Sequence, residues 1–363
     1  MDFIPVSKPE ITSSDAAYVN EAVKSGWVSS LGEFINKFEK NFSNFCNTKY
    51  ALTVSNGTVG LHLSLVALGI KPGDEVIIPD LTFIATANAV SYTGAIPVLA
   101  DIELDSLCIC TKSIEKLITS KTKAIIAVHL YGHPANMMEI NRLAKKYGLY
   151  VIEDAAEAHG AKIGDQKVGS FGDIGVFSLY GNKIITTGEG GVITTNNKKL
   201  YNKMTFLRDH AMSSDKRYWH TEIGFNYRMT NLQAALGVGQ LERISEILKK
   251  REFIFEWYSE ELINVPEIRL NSTKEGYKNA YWLIYIVLPK LNDKKRNTLM
   301  SKLKEYNIDS RPFFYPMSQM PMYKTNTPES VNYIFEKGIN LPTFNEITRE
   351  QVRYICNSLK SVL

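Results

Sequence analysis

Residues 71–101 read KPGDEVIIPDLTFIATANAVSYTGAIPVLAD, a short apolar run, a helical stretch and a second apolar run. Glu75–Pro79 and Ile96–Asp101 are strand-length and bounded by turn residues, and a helix fits the segment after Phe83. Strand, helix, strand in that order is the repeating unit of a parallel sheet. The same alternation extends both ways. Upstream lie a turn at Gly57 and a helix over Leu61–Leu68. Downstream lie Ala124–His129, a helix around Met137–Lys146, then Leu149–Glu153, Gly175–Tyr180 and Gly191–Thr195. This pattern predicts an α/β fold, a mainly parallel sheet with helices on both faces, and ligands beyond the carboxyl ends of the strands.

Ahead of this region, Ser13 and Ser14 precede Asp15 and a helical spacing of Ala16, Ala17, Val19 and Val23 that stops at Gly26. Phe34, Phe38, Phe42 and Phe45 form the stripe of a second amphipathic helix, which reads as core. A long helical stretch from Thr230 to Leu262 leads to a C-terminal region with Ala280–Leu288, Asn307–Pro312 and a last helix from Thr348. The expected division is a large α/β domain over 1–240 and a smaller domain over 241–363 that includes the connecting helix.

The 363 residues are 44% hydrophobic and 22% charged, which excludes disorder and fibrous repeats. The formal charge of +4 is not gathered into a basic stripe, so no nucleic-acid partner is expected. No apolar run reaches the ~20 residues that span a bilayer, and the first residues resemble no cleavable signal. The mature chain is expected to start near Met1, in the cytoplasm and without a membrane partner. Cys46, Cys108, Cys110 and Cys356 are too few and too irregular for a disulfide framework, and no metal site is expected.

Three pieces carry chemistry. Lys183 lies in SLYGNKIITTGEGG (Ser178–Gly191), between a strand and a glycine-dense turn; a neutral, partly desolvated amine there could attack a carbonyl, whereas an ordinary loop lysine is a solvated charge. Ser55–Thr58 reads SNGT at the start of an apolar helix, where backbone amides could bind phosphate. Asp154, at the end of Val151–Asp154 and followed by Glu157, could face a heterocyclic nitrogen or simply cap a helix. Amine, phosphate anchor and strand-end acid are the parts a protein supplies to pyridoxal phosphate.

The runs WVSS (Trp27–Ser30), VSNGT, KPGDEVIIP, VHLYGHP (Val128–Pro134), VIEDAAEAHGA (Val151–Ala161), GNKIITTGEGG and GFNYRMTN (Gly224–Asn231) occur in order and spacing across nearly the whole chain. In these the sequence resembles the pyridoxal-phosphate-dependent nucleotide-sugar aminotransferases of aspartate-aminotransferase fold, and within them the perosamine-forming branch. The resemblance implies fold type I, with a mainly parallel seven-stranded sheet in the large domain and a smaller C-terminal α+β domain. It implies Lys183 as the lysine bound covalently to the cofactor, Asp154 as partner of the pyridine nitrogen and Phe83 as the stacked ring. Ser178, Gly57 and Thr58 become phosphate ligands, Glu157 a further cofactor contact, and Asn226 a ligand to the phosphate in a neighbouring subunit.

That last role implies a homodimer with shared sites. Trp27, Ser29, Tyr218, Arg311 and Tyr315 are implied at the substrate; for Arg311 in RPFFYP, packing on an aromatic face is an equally physical reading. Lysine rather than histidine at 183 favours amino transfer over dehydration. Glu157 stands where many relatives have glutamine and Gly60 where alanine is more usual, and neither departure is expected to touch the chemistry. Arg208–Met212 reads RDHAM where the perosamine branch tends to be glycine-rich.

The implied reaction moves an amino group from L-glutamate to a nucleotide-linked 4-keto-6-deoxy sugar, with GDP-4-keto-6-deoxymannose as leading acceptor. Another nucleotide keto sugar or a small phosphorylated ketone stays open as acceptor. A non-catalytic regulator that binds the cofactor is the alternative of a different class. His62 and His129 read as hydrogen-bonded packing residues, and His159 is placed near the cofactor only by its closeness to Asp154.

Overall fold

The structure is a computed structural model that describes residues 1–363. Two helices, α1 (Ser13–Lys24) and α2 (Glu33–Cys46), precede a strict alternation of strand and helix. It runs β1 (Tyr50–Val54), α3 (Gly57–Ala67), β2 (Glu75–Pro79), α4 (Ala85–Tyr92), β3 (Ile96–Ala100), α5 (Thr111–Leu117), β4 (Thr122–Val128), α6 (Met137–Tyr147) and β5 (Tyr150–Asp154). A hairpin of β6 (Lys162–Ile163) and β7 (Gln166–Lys167) then leads to β8 (Ile174–Ser178), β9 (Gly191–Thr195) and α7 (Lys198–Arg208).

Seven of these strands form one sheet in the order β1-β9-β8-β5-β4-β2-β3. It is parallel from β8 to β3, and β9 runs antiparallel to both of its neighbours. The expected α/β fold with a mainly parallel seven-stranded sheet is therefore present. Alternation along each strand assigns the two faces. Ile77, Ile125, Val151, Phe177 and Val192 point to α2, α6 and α8 (Asn231–Glu242), where Phe34, Phe38 and Phe42 are buried as the stripe predicts. Val76, Ile126, Ile152, Val176 and Ile193 point to α3, α4 and α7.

After α8 and α9 (Ile244–Leu262), β10 (Arg269–Leu270), β12 (Ile284–Val287), β14 (Gly338–Leu341) and β13 (Arg311–Pro312) form a four-stranded antiparallel sheet in that order. α9, α10 (Asp293–Glu305) and α12 (Arg349–Val362) share its core. The short strand β11 (Tyr277–Lys278) joins the β6–β7 hairpin, and α11 (Glu329–Ile334) lies before β14.

Three local features differ from the sequence expectation. Thr12, rather than Ser13 or Ser14, caps α1, because Asp15 closes a reciprocal capping box with it. The long helical stretch breaks at Arg243, whose guanidinium turns to Asp15 at 2.9 Å and Glu10 at 3.3 Å; no glycine or proline marks the break. Ile4 bridges to Ile308 and is fully buried in the C-terminal core, so the first residues of the chain pack against the smaller unit.

Gly60 has a packing reason. A Cβ there would sit 2.8 Å from Val176 Cγ1 and 3.3 Å from Val54 Cγ2. Gly60→Ala should therefore destabilise the protein by about 1–3 kcal/mol in urea unfolding, and Val176→Ala combined with it should cost less than the sum of the two single changes. Simple additivity would show that the two side chains do not compete for this space.

Candidate functional site

The carboxyl ends of β4, β5 and β8 converge on one edge of the sheet. Successive residues of β5 alternate, so Glu153 and Asp154 leave it on opposite faces. Glu153 is fully buried and structural. Its oxygens accept the amides of Gly169 at 2.8 Å, Phe171 at 2.7 Å and Gly172 at 2.8 Å. His129 Nε2 lies 3.0 Å away, and His129 Nδ1 accepts the Ala135 amide at 2.9 Å, so the proton is assigned to Nε2. His129 is thus a hydrogen-bonded packing residue, as expected, and its amide donates to the Asp154 carbonyl.

Asp154 turns the other way, into a cavity of about 570 Å³. Its Oδ2 accepts the Thr86 hydroxyl of α4 at 2.8 Å and its Oδ1 the Ala156 amide at 3.2 Å. Burial pushes its carboxyl above the usual carboxylate range, against the pull of those donors and of Lys183. None of the ion pairs of the chain involves it. Such a carboxylate suits a protonated ring nitrogen better than a helix cap alone.

At the opposite side, the Asn56 side chain caps α3 by accepting the Val59 amide at 3.0 Å. The Gly57 and Thr58 amides ahead of it find no acceptor within the chain. A Cβ at position 57 would sit 3.1 Å from the Ser178 Cβ, a tight contact that glycine avoids. Free amides at the positive end of a helix, beside the Ser178 hydroxyl, have the donors and the charge to receive a phosphate.

Lys183 reaches the middle of the same cavity from the loop between β8 and β9. Its Nζ lies 3.4 Å from Glu157 Oε1. Glu157 Oε2 accepts the Tyr131 amide at 2.9 Å, and burial raises its carboxyl while Lys183 and that amide oppose the shift. Glu157, expected as a further cofactor contact, thus lies beside the Lys183 amine. Phe83 and Phe314 border the cavity with ring centres 5.7 Å apart.

Seven of the expected residues thus meet in one place: Gly57, Thr58, Phe83, Asp154, Glu157, Ser178 and Lys183. Arg311 and Tyr315 line an adjoining chamber of about 510 Å³ that shares Thr82, Phe83, Asn182, Trp282 and Phe314 with the first. Arg311 pairs with Asp309 and stacks on no aromatic ring. Trp27, Ser29, Tyr218 and Asn226 lie outside both chambers of their own chain. The Trp27 and Ser29 carbonyls accept from Asn231, Tyr218 is 74% exposed, and Asn226 sits on the surface beside Arg228. His159 is buried against Phe42 and Phe177 and does not line the cavity.

The residues the sequence did not reveal are Thr86, Tyr131, Trp282 and Phe314. Thr86 could have been found from helix spacing after Phe83. Nothing in the sequence near Trp282 or Phe314 links them to Lys183.

The residues present fit pyridoxal phosphate. Orphaned amides await a phosphate, an unpaired buried carboxylate awaits a cationic nitrogen, and one primary amine stands between them. No group of three or more His, Cys, Asp or Glu is arranged to hold a metal ion, and no helix is long and apolar enough to cross a membrane.

Comparison with known proteins agrees with this geometry. The pattern of the DegT/DnrJ/EryC1/StrS aminotransferase family matches residues 9–360. A GDP-perosamine synthase of Vibrio cholerae is 44% identical over 363 residues, covering 99% of this chain and 98% of the relative. A GDP-perosamine synthase of Escherichia coli O157:H7 is 44% identical over 366 residues, with the same coverage of both chains. Among solved structures, Helicobacter pylori PseC, an aminotransferase involved in the biosynthesis of pseudoaminic acid, superposes with a TM-score of 0.94 at 27% identity and 99% coverage of each chain.

Proposed function

The chain belongs to the DegT/DnrJ/EryC1/StrS aminotransferase family and is a pyridoxal-phosphate-dependent sugar aminotransferase, and from that premise we propose that it moves the amino group of L-glutamate to C4 of GDP-4-keto-6-deoxy-D-mannose. The product is GDP-perosamine, an amino sugar for surface polysaccharide such as O-antigen or capsule. The observation that carries the reaction type is Lys183 Nζ held 3.4 Å from Glu157 in a cavity that also holds Asp154. The full-length likeness to GDP-perosamine synthases supports the acceptor.

Pyridoxal phosphate, when bound, supplies a carbonyl carbon that accepts the amino group and a ring that draws off the electrons of a broken C–H bond. Gly57, Thr58 and Ser178 would hold its phosphate, Asp154 its ring nitrogen, and Lys183 its reactive carbon. Lys183 Nζ then serves as base, taking the proton from the alpha carbon of the amino donor, and in the return direction it gives a proton to C4 of the sugar. Asp154 keeps a negative charge against the ring nitrogen throughout. Phe83, Phe314 and Trp282 line the cavity with aromatic surface, and of the three Trp282 is buried.

The test is a panel. Purified protein with L-glutamate is offered GDP- and other nucleotide-linked keto sugars and small phosphorylated ketones, and products are read by mass spectrometry. Preferential amination of the GDP-linked 4-keto-6-deoxy sugar is expected; preference for another acceptor would overturn the assignment of substrate.

The working unit in this reading is a cytoplasmic homodimer with shared sites. Asn226 is exposed and lies outside its own cavity, as a residue that reaches a neighbouring subunit would, and Tyr218, Trp219 and Ile223 just before it in the sequence are exposed as well. Lys183→Ala and Asn226→Asp should each be inactive as homodimers. Their mixture should regain activity after subunit exchange, because both lesions fall in one site of the heterodimer and leave the other intact. Exchange without recovery would contradict a role for Asn226 across the interface.

A further inference from the structure

Two side chains flank the Lys183 amine, and neither comes from its own loop. On one side lies Glu157 Oε1 at 3.4 Å, and on the other the Trp282 ring, its centre 3.8 Å from Nζ. The Lys183 side chain is only 11% exposed. An ammonium that has given up most of its water needs both a counter-charge and a polarisable face to stay there.

Each holder is itself fixed. The second oxygen of Glu157 takes the amide of Tyr131, a fully buried residue at φ +53. A bulky side chain in the left-handed region is costly, and here the bend aims that amide at the carboxylate. Trp282 donates its indole N–H to the Asn182 carbonyl at 2.7 Å, which ties the ring to the residue next to Lys183. Tyr131 and Trp282 stack with centres 6.2 Å apart and planes 18° from parallel, so the ring against Lys183 packs on the residue whose amide fixes Glu157.

We propose that Glu157 and Trp282 are positioning residues that form a resting place for the Lys183 amine during the part of the cycle in which it is not joined to the cofactor. This rests on the aminotransferase reading, in which the lysine is set free by the amino donor and used again as base. Without the two holders, a four-carbon chain ending in a charge would swing toward water and away from the reacting carbon. The ion pair keeps the amine in the cavity, and the indole face blocks its exit toward the second chamber, which Trp282 also lines.

The test uses the protein freed of cofactor and needs no sugar. Amines are labelled competitively with acetic anhydride at neutral pH, and the Lys183 peptide is compared by mass spectrometry with the exposed Lys49 as reference. Trp282→Leu should raise the relative labelling of Lys183 roughly 3- to 30-fold, the scale of a desolvated cation–π contact, and Glu157→Gln should raise it as well. Trp282→Phe keeps the aromatic face without the indole N–H and should retain most of the protection. A role confined to filling space would make leucine and phenylalanine equivalent.

Unchanged labelling in both Trp282→Leu and Glu157→Gln, or equal labelling in the leucine and phenylalanine variants, overturns the proposal. If Trp282→Leu fails to fold, Glu157→Gln and Trp282→Phe decide: raised labelling in the first with protection in the second supports it, and any other pair of results overturns it. Failure of the aminotransferase reading shows separately, as wild-type protein that does not take up cofactor.

Discussion

Lys183→Ala should lose the visible absorbance of the cofactor-loaded protein and lower turnover by ~100- to 10,000-fold from the missing proton transfer alone. No other residue lining the cavity carries a primary amine. The variant should still fold, because the lysine contributes one ion pair and one aromatic contact, and Glu157, already raised by burial, can take a proton once its partner is gone. Lys183→Arg is the sharper control. It keeps a cation beside Glu157, yet a guanidinium does not give up its proton and cannot act as base. Turnover by either variant near the wild-type rate would remove Lys183 from the chemistry.

Asp154→Asn should leave cofactor loading largely intact and slow proton abstraction by at least ~100-fold, the scale of losing one electrostatic stabiliser. The hydrogen bonds can survive the change. The Ala156 amide still finds an oxygen, and the Thr86 hydroxyl, 3.1 Å from the Thr82 hydroxyl, can turn to accept from the new amide. What goes is the negative charge that keeps a ring nitrogen protonated. Stopped-flow absorbance with glutamate alone separates loading from chemistry. Wild-type rates in this variant would mean that Asp154 only caps the turn after β5.

The alternation of apolar runs made the sheet legible, and β2 and β9 have the bounds read from the sequence. The same alternation aims Asp154 at α4 and the cavity while Glu153 goes to the other face, so strand parity alone delivers the acid to the site. Gly57 and Lys183 were legible because a helix start and a glycine-dense loop are local signals, whereas Ser178 and Phe83 were placed only by the family resemblance.

What stayed hidden is non-local. Trp282 lies 99 residues beyond Lys183 and reaches it through the smaller unit, a contact that no spacing encodes. The bend at Tyr131 that fixes Glu157 is held by surrounding aromatic rings rather than by a glycine at that position. The break at Arg243 depends on its ion pairs to Glu10 and Asp15, more than 200 residues earlier. Arg311 was read equally as a substrate contact or a cation packed on aromatics; it lines the second chamber and pairs with a carboxylate.

The half-reaction with L-glutamate and no acceptor tests the central claim most directly, because it asks only whether the Lys183 cavity takes an amino group and keeps it. Adding glutamate to the loaded enzyme should abolish the visible band and release 2-oxoglutarate in equal amount to active sites. Adding the GDP-linked keto sugar afterwards should restore the band and yield the amino sugar. A band that persists, with no 2-oxoglutarate released, would contradict amino transfer at this site.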